Sequence, residues 1–239
     1  MNIALIGYGK MGKEIEQILL QRGHSVPVII DVNNPEDFNQ DKFSSIDVAI
    51  EFSTPHTAYN NIIKCLELGT PVVCGTTAWL DKYDQAVAFC KEKNGAFFYA
   101  SNYSIGVNIF FKINEMLARM MNAYKEYDVT VEEVHHTTKK DSPSGTAITL
   151  AEGILKGIDR KNKWVNTTTT EANELEVLGI RRSIVPGTHT VTWESEADMI
   201  QIEHLAKGRK GFALGAVLAA EFLNGKKGIF TMDDLMKLQ

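Results

Sequence analysis

The chain begins with a short apolar run, Ile3–Ile6. It then passes through Gly7-Tyr8-Gly9-Lys10-Met11-Gly12 into residues with helical apolar spacing, Met11, Ile15, Ile18 and Leu19. A strand that turns into a helix through three glycines has few ways to continue. The glycines permit a sharp turn and let an anion approach the N–H groups at the helix start. The next apolar run, Val26–Ile30, ends on Asp31, roughly 20 residues past the loop, where a carboxylate can accept hydrogen bonds from an adenosine ribose. Strand, turn, helix, strand and aspartate in that order point to a dinucleotide site. The other reading of the same residues is a tight turn with a turn-capping aspartate. Asp31 is followed by Val32-Asn33-Asn34, with no adjacent cation to meet a 2′-phosphate. This favours NADH over NADPH, although Lys10 or Lys42 could fold in.

The alternation continues. Strands are expected at Asp47–Phe52, Pro71–Cys74 and Ala96–Ala100, with helices at Pro55–Leu68 and Trp79–Lys93 between them. Strands apolar on both faces and separated by helices imply a parallel sheet covered on both sides, a doubly wound Rossmann-like α/β fold. After Ala100 the pattern changes. Ile105–Tyr124 reads as one long amphipathic helix. Asp128–His136, Leu175–Val185, Thr188–Ser195 and Met199–Ala206 read as strands with few helices between them, hence an open mixed or antiparallel sheet. Asn162–Asn173, with four consecutive threonines, reads as a polar loop, and Phe212–Leu223 as a helix ended by Gly225-Lys226-Lys227-Gly228. We expect a dinucleotide-binding domain over residues 1–103, completed by 212–239, with an α+β domain inserted over 104–211.

Composition excludes several classes. With 239 residues and a net charge of −5, the chain has no global field that would gather nucleic acid, so an anionic ligand must be held by local cations. Cys65, Cys74 and Cys90 lack metal spacing and read as core thiols of a reducing compartment. Met1-Asn2-Ile3 runs directly into the first strand, and Gly211–Leu223 is too short to span a bilayer. The expectation is a cytoplasmic protein with no membrane partner.

The reactive groups are concentrated in Glu133-Val134-His135-His136-Thr137-Thr138-Lys139-Lys140-Asp141-Ser142-Pro143-Ser144-Gly145-Thr146-Ala147. Side chains alternate along a strand, so His135 and His136 face opposite ways unless the strand ends or bends there. Ser144 is a suitable N-cap with Pro143 fixing the entry, and the N–H groups of Gly145 and Thr146 sit where a helix dipole favours an anion. A capped helix that needs no ligand fits the same pattern. A metal is not expected. Glu132, Glu133, His135 and His136 are possible ligands, but adjacent strand histidines converge poorly and no further zinc pattern supports them. Gly75-Thr76-Thr77 and Ser101-Asn102-Tyr103 follow strands four and five, at the sheet edge that faces a ligand crevice, although ordinary loops fit them equally. Arg181-Arg182 and Lys207-Gly208-Arg209-Lys210 read as solvated faces, and His189 as structural.

Together these motifs resemble the dihydrodipicolinate reductase (4-hydroxy-tetrahydrodipicolinate reductase) family. Its signature E-x-H-H-x-x-K-x-D-x-P-S-G-T-A is matched in full by Glu133–Ala147. Gly7–Gly12 looks like its cofactor loop, Gly75-Thr76-Thr77 like its nicotinamide-side loop, and Ser101–Asn108 like its interdomain stretch. Pro186-Gly187-Thr188-His189-Thr190 looks like its G-x-H segment, with Thr188 where an acidic residue is frequent. The region from Asp31 to Asp47 is short for the family. The resemblance implies reduction of a small cyclic dicarboxylate in lysine and diaminopimelate biosynthesis, with hydride from NADH or NADPH. It makes His135 the general acid and Lys139 the cation that orients the ring and assists proton transfer. It gives a substrate carboxylate to His136, Ser144, Gly145 and Thr146. Cofactor contacts fall to Gly7, Tyr8, Gly9, Lys10, Met11, Gly12, Asp31, Gly75, Thr76, Thr77, Ser101, Asn102 and Tyr103. It also implies domain closure about a hinge and a homotetramer built on the second domain's sheet. Another nicotinamide oxidoreductase of the same plan and a non-catalytic NADH sensor are the competing readings.

Overall fold

The computed structural model describes residues 1–237. Along the chain its strands are β1 (Asn2–Ile6), β2 (Ser25–Ile30), β3 (Val48–Glu51), β4 (Val72–Cys74), β5 (Ala96–Tyr99), β6 (Asp128–His135), β7 (Lys163–Val165), β8 (Glu174–Arg181), β9 (Thr188–Glu194), β10 (Met199–Leu205) and β11 (Gly228–Phe230). The helices are α1 (Lys10–Gln21), α2 (Gln40–Phe43), α3 (Pro55–Glu67), α4 (Tyr83–Glu92), α5 (Ile105–Met121), α6 (Gly145–Gly157), α7 (Lys210–Leu223) and α8 (Met232–Met236). The chain divides into two compact units, Met1–Ile105 with Arg209–Gln239, and Gly106–Gly208. Residues 104–105 and 209–211, expected with the inserted segment, thus fall in the first unit.

The first unit is a six-stranded sheet in the order β11-β5-β4-β3-β1-β2, parallel at every pairing. Successive residues point to opposite faces, and both faces are covered. Ile3, Leu5, Ile50 and Phe98 pack with Ile15 and Leu19 of α1 and with Val217 and Leu223 of α7. Ala4, Ile6, Ala49 and Phe97 pack with Ile62 and Cys65 of α3 and with Ala86 and Cys90 of α4. This two-sided burial is why the strands read as unbroken apolar runs. Pro27 is tolerated because β2 is the sheet edge. The expected helix over Trp79–Lys93 is instead a short 3₁₀ turn, Leu80–Lys82, leading into α4. Trp79 stays in the core, where its indole N–H donates to the Thr76 carbonyl at 2.8 Å.

The second unit is a mixed sheet, β10-β9-β6-β8-β7. β6 runs parallel to β8 and antiparallel to β9. One face packs under α5 and α6, with Val129, Val131, Val177, Val191 and Trp193 meeting Ala118, Leu150 and Ile154. The expected polar loop over Asn162–Asn173 contains β7, which pairs with β8 through Lys163–Val165. Its one apolar pair, Trp164-Val165, is too short for a periodicity signal. The strand expected over Leu175–Val185 ends at Arg181, and Ser183 then takes a left-handed backbone, φ 48°. Among the described residues no helix is long and apolar enough to cross a membrane.

Candidate active site

In the first unit the glycine loop is shaped by close approach. Gly7 has φ +89°, and a Cβ there would collide with the Phe52 backbone, 2.7 Å from its carbonyl carbon. A Cβ on Gly12 would strike the Gly7 carbonyl, whereas Gly9 faces open space. The loop is therefore packed from below and open above. Gly7, Tyr8, Gly9 and Asp31 border one cleft of about 460 Å³, together with Val32 and Phe38. Gly9, Lys10, Met11, Gly75, Thr76 and Thr77 border a second of about 430 Å³. Both clefts share Phe52 and Ser53. These features fit a dinucleotide, whose pyrophosphate needs bare backbone at a helix start.

Asp31 Oδ1 accepts from Val32 N at 2.9 Å, which fixes the carboxylate at the strand end. The Tyr8 hydroxyl donates to Glu16. Lys42 lies 3.8 Å from Asp37, and it does not border the Asp31 cleft. Thr76 Oγ1 accepts from Ser53 N at 2.8 Å and is buried. Ser101 is exposed, and Asn102 Oδ1 accepts from Ser104 N at 2.9 Å. The Tyr103 side chain belongs to the core instead of a ligand surface. Its hydroxyl donates to the Cys74 carbonyl at 2.7 Å, leaving only its backbone for cofactor contact.

Sequence reasoning missed Glu51, the last residue of β3, which is 0 % exposed. Its carboxyl accepts from Ser53 N at 3.1 Å, from the Ser53 hydroxyl, from Asn61 at 3.3 Å and from the Cys74 thiol at 3.1 Å. One buried group thus ties together the chain segments leaving β3 and β4, both of which border the clefts. Burial pushes the Cys65 and Cys74 thiols well above their usual range, and the nearby Glu51 adds to this.

In the second unit the sheet register assembles the chemistry. Val129, Val131, Glu133 and His135 are the buried positions of β6, alternating with more exposed ones. Glu133 and His135 therefore share a face, and the half-buried His136 does not. Its Nδ1 instead lies 2.8 Å from Thr138 Oγ1. Glu133 is paired with His189 on β9 and with Gly179 on β8, while His135 is paired with Arg181. Gly179 leaves room for the Ser142–Ser144 turn, because a Cβ there would strike Ser142 Oγ.

Glu133 is fully buried and has N–H groups or imidazoles on four sides. Oε1 takes a 2.9 Å hydrogen bond from Arg181 Nη2 and a 3.0 Å bond from Ser144 N. Oε2 lies 3.2 Å from His135 Nδ1 and 3.6 Å from His189 Nε2. Burial alone would raise the Glu133 pKa, but His135, His189, Ser144 and Arg181 outweigh it and hold the carboxyl far below the usual carboxylate range. Burial lowers His189, and the charges of His135 and Lys139 add to this against the opposing pull of Glu133. The two imidazoles meet edge to face, with centroids 5.1 Å apart.

At the start of α6, Ser144 Oγ accepts from Ala147 N at 3.3 Å and lies 3.1 Å from His189 Nε2. This is the expected N-cap, and it is linked to His189, which reads from the sequence as structural. A Cβ on Gly145 would meet nothing within 4 Å, so the helix start is open there. Lys139 Nζ binds the Asp141 carboxylate at 2.7 and 2.8 Å. Burial raises the Asp141 pKa, and Lys139 more than reverses that. Glu133, His135 and His189 also form a group whose ligand atoms lie within 4.8 Å of one another, a set able to hold a metal ion. It is not the set weighed from the sequence, because His136 and Glu132 drop out and His189 enters.

Residues 1–103 match the family described as dihydrodipicolinate reductase, N-terminus, and residues 106–236 match dihydrodipicolinate reductase, C-terminus. The chain belongs to the dihydrodipicolinate reductase family. A 4-hydroxy-tetrahydrodipicolinate reductase of Christiangramia forsetii is 50% identical over 236 residues, covering 99% of this chain and 98% of the relative. The enzyme of that name from Thermosipho africanus is 34% identical over 241 residues, covering 99% and 98%. The fold is also that of the dipicolinate-bound dihydrodipicolinate reductase from Paenisporosarcina sp. TG-14, with TM-score 0.73, 20% identity, and 98% and 99% of the chains covered. As a member of this family the chain is an NAD(P)H-dependent oxidoreductase, a 4-hydroxy-tetrahydrodipicolinate reductase of lysine and diaminopimelate biosynthesis.

Proposed function

We propose that the first unit binds the pyridine nucleotide, and that the second unit binds the cyclic dicarboxylate and protonates it. The observation that carries this reading is the convergence of Glu133, His135, His189 and Ser144 at the open start of α6. When bound, the reduced nicotinamide supplies the hydride. His135 delivers a proton to the charge that builds on the ring, a task suited to an imidazole near neutral pH. Gly145, Thr146 and Ser144 receive one carboxylate at the positive end of the helix dipole, with His136 beside them. Lys139 supplies a cation to the same anion. It exchanges its present partner Asp141, which is exposed, for the substrate.

The cofactor is NADH in preference to NADPH. Asp31 stands at the ribose end of a cleft whose bordering residues include no lysine or arginine. Gly7, Gly9 and Gly12 admit the pyrophosphate. Lys10, Met11 and Thr77 border the neighbouring cleft toward the nicotinamide, as do Gly75 and Thr76. No metal is required, since Arg181 already pairs with the Glu133 carboxylate and Lys139 places a second cation nearby. Assembly is homotetrameric. The sheet face of the second unit away from α5 and α6 presents Thr130, Glu132, Thr190, Thr192 and Gln201 around a shallow hollow, a surface suited to polar contact with other copies. Three free, buried cysteines fit a cytoplasmic location.

The deciding experiment is steady-state turnover of His135→Ala alongside calorimetry with pyridine-2,6-dicarboxylate. Turnover should fall about 10²-fold while NADH binding persists, as for a lost general acid. Near-normal turnover by this variant would falsify the assignment.

A further inference from the structure

The two ring nitrogens of His135 stand in different surroundings. Nδ1 is buried 3.2 Å from Glu133 Oε2, and neither atom has another hydrogen-bond partner. The angle between them is not yet that of a formed hydrogen bond. Bonds of this kind commonly straighten only once the substrate is in place. A bare Nδ1 would set a lone pair against a carboxylate oxygen in a dry site, so Nδ1 is the nitrogen that keeps its hydrogen. Nε2 is left as the atom that can exchange a proton.

Nε2 faces Gly187. A Cβ built on Gly187 would stand 2.9 Å from Nε2, closer than real Cβ contacts allow, and a tight 3.2 Å from Cδ2. Neither partner can retreat. The Gly187 carbonyl accepts from Ala206 N at 2.8 Å, and the next residue enters β9. The His135 carbonyl accepts from Arg182 N at 2.8 Å, and its backbone is in register with β8. Gly187 also has φ +153°, a conformation that other residues seldom adopt. The imidazole itself has little freedom, with its side chain 9% exposed and His189 packed against its edge.

We propose that Gly187 is a positioning residue for proton transfer, whose missing side chain keeps Nε2 of His135 open as the atom that protonates the substrate. The inference rests on the assignment of His135 as the acid. In the step, the electron pair left on the ring by hydride addition takes the Nε2 proton and forms a C–H bond. The imidazolium becomes a neutral imidazole that retains hydrogen on Nδ1, toward Glu133. Solvent then restores the Nε2 proton.

The experiment compares Gly187→Ala, His135→Ala and the double variant in turnover with NADH, with calorimetry using pyridine-2,6-dicarboxylate as the probe. Gly187→Ala should lower kcat by about 10²-fold, the scale of a misplaced general acid. KM and probe affinity should stay within about twofold, because the anion site is untouched. The solvent deuterium isotope effect on kcat should rise. The double variant should lose little beyond His135→Ala alone, since both changes remove the same proton transfer. Full activity in Gly187→Ala with an inactive His135→Ala overturns the inference and leaves the acid assignment standing. Full activity in His135→Ala overturns both. Loss of probe binding in Gly187→Ala marks a binding role and also overturns the inference. If Gly187→Ala does not fold, neutron diffraction of the unaltered protein decides. Deuterium on Nδ1 directed at Glu133 supports the inference, and a bare Nδ1 with deuterium only on Nε2 refutes it.

Discussion

Arg181 Nη2 donates to Glu133 Oε1 at 2.9 Å, and the same nitrogen also donates to the Asp141 carbonyl. One guanidinium therefore holds the buried carboxylate beside His135 and the segment that carries Lys139. Arg181→Ala removes a charged donor from a carboxylate that is 0% exposed, and losing a hydrogen bond between charged groups costs about 1.5–3 kcal/mol. At about 2–4 °C per kcal/mol for a chain of this length, the melting temperature should fall by several degrees. Turnover should fall with it, because both reactive segments loosen. Arg181→Lys should restore the charge but not the forked geometry, and should recover only part of each loss. Differential scanning fluorimetry and kcat/KM measured on the two variants check this. Unchanged values for Arg181→Ala would rule out the bracing role.

Acid should weaken the folded state before carboxylates in general are protonated. Burial lowers the pKa of His189 and of His204 below the ordinary 6.5. A base with a depressed folded pKa takes up its proton more readily when unfolded. Its contribution is complete above the unfolded value and is lost as pH falls from about 6.5 toward the folded value. Glu133 has the same sign at lower pH: its folded value is depressed, so its contribution is complete above about 4.5 and declines below that. The melting temperature should therefore fall by a few degrees between pH 7.5 and 5.5, and fall further near pH 4. His204→Gln, which keeps the wild-type active-site histidines, should flatten the first part of that curve. An equal slope in this variant would show that His204 does not contribute.

Most of the first unit was legible in the sequence because its strands are buried on both faces. Ile3–Ile6, Val48–Glu51 and Val72–Cys74 leave little choice of element or order. β11 was not legible, since Gly228-Ile229-Phe230 is three residues behind a run of Lys and Gly and is made a strand only by pairing with β5. In the active site, the signature segment and the Ser144 cap could be read locally. His189, Arg181 and Gly187 could not be assigned from it, because their roles come from register across β6, β8 and β9, which depends on contacts distant in sequence. The shared face of Glu133 and His135 was available as an i, i+2 spacing in a strand. The same alternation separated His136 from His135.

Cofactor choice should turn on Asp31. Its carboxylate is anchored by Val32 N at 2.9 Å, with no cation among the residues bordering its cleft. Asp31→Ser should raise KM for NADH about tenfold, as expected for losing a charge-assisted hydrogen bond of about 1.5 kcal/mol. It should also relieve repulsion of a 2′-phosphate. Asp31→Ser with Val32→Arg should then favour NADPH, because Val32 is 84% exposed and an arginine there can reach the phosphate. KM for both cofactors, measured on the two variants, tests this. An unchanged NADH to NADPH ratio would place the ribose elsewhere.

Chelation should leave activity intact. Glu133, His135 and His189 can converge on an ion, yet Arg181 occupies one oxygen of Glu133 and Lys139 adds further positive charge. A divalent cation would have to overcome both. Dialysis against a chelator, followed by assay and elemental analysis, should give unaltered turnover and no bound zinc. Activity lost on dialysis and regained with zinc would make this group a metal centre.

Glu51 should control cofactor affinity without touching the cofactor. It has no exposed surface, and its carboxyl gathers Ser53 N, the Ser53 hydroxyl, Asn61 and the Cys74 thiol. Ser53 in turn donates to Thr76 Oγ1, so the segments after β3 and β4 are held at one spacing. Glu51→Ala would leave several buried donors without an acceptor, at about 1–3 kcal/mol for each one that finds no substitute. The melting temperature should fall markedly, and the folded fraction should show a higher KM for NADH, since Gly75-Thr76-Thr77 can then drift. Glu51→Gln keeps one carbonyl oxygen for Ser53 N and offers an amide to the Cys74 sulfur, so it should lie between the two in both measurements. If Glu51→Gln melts like wild type but binds NADH as weakly as Glu51→Ala, the group acts on the nucleotide through its charge and not through the spacing of the two segments.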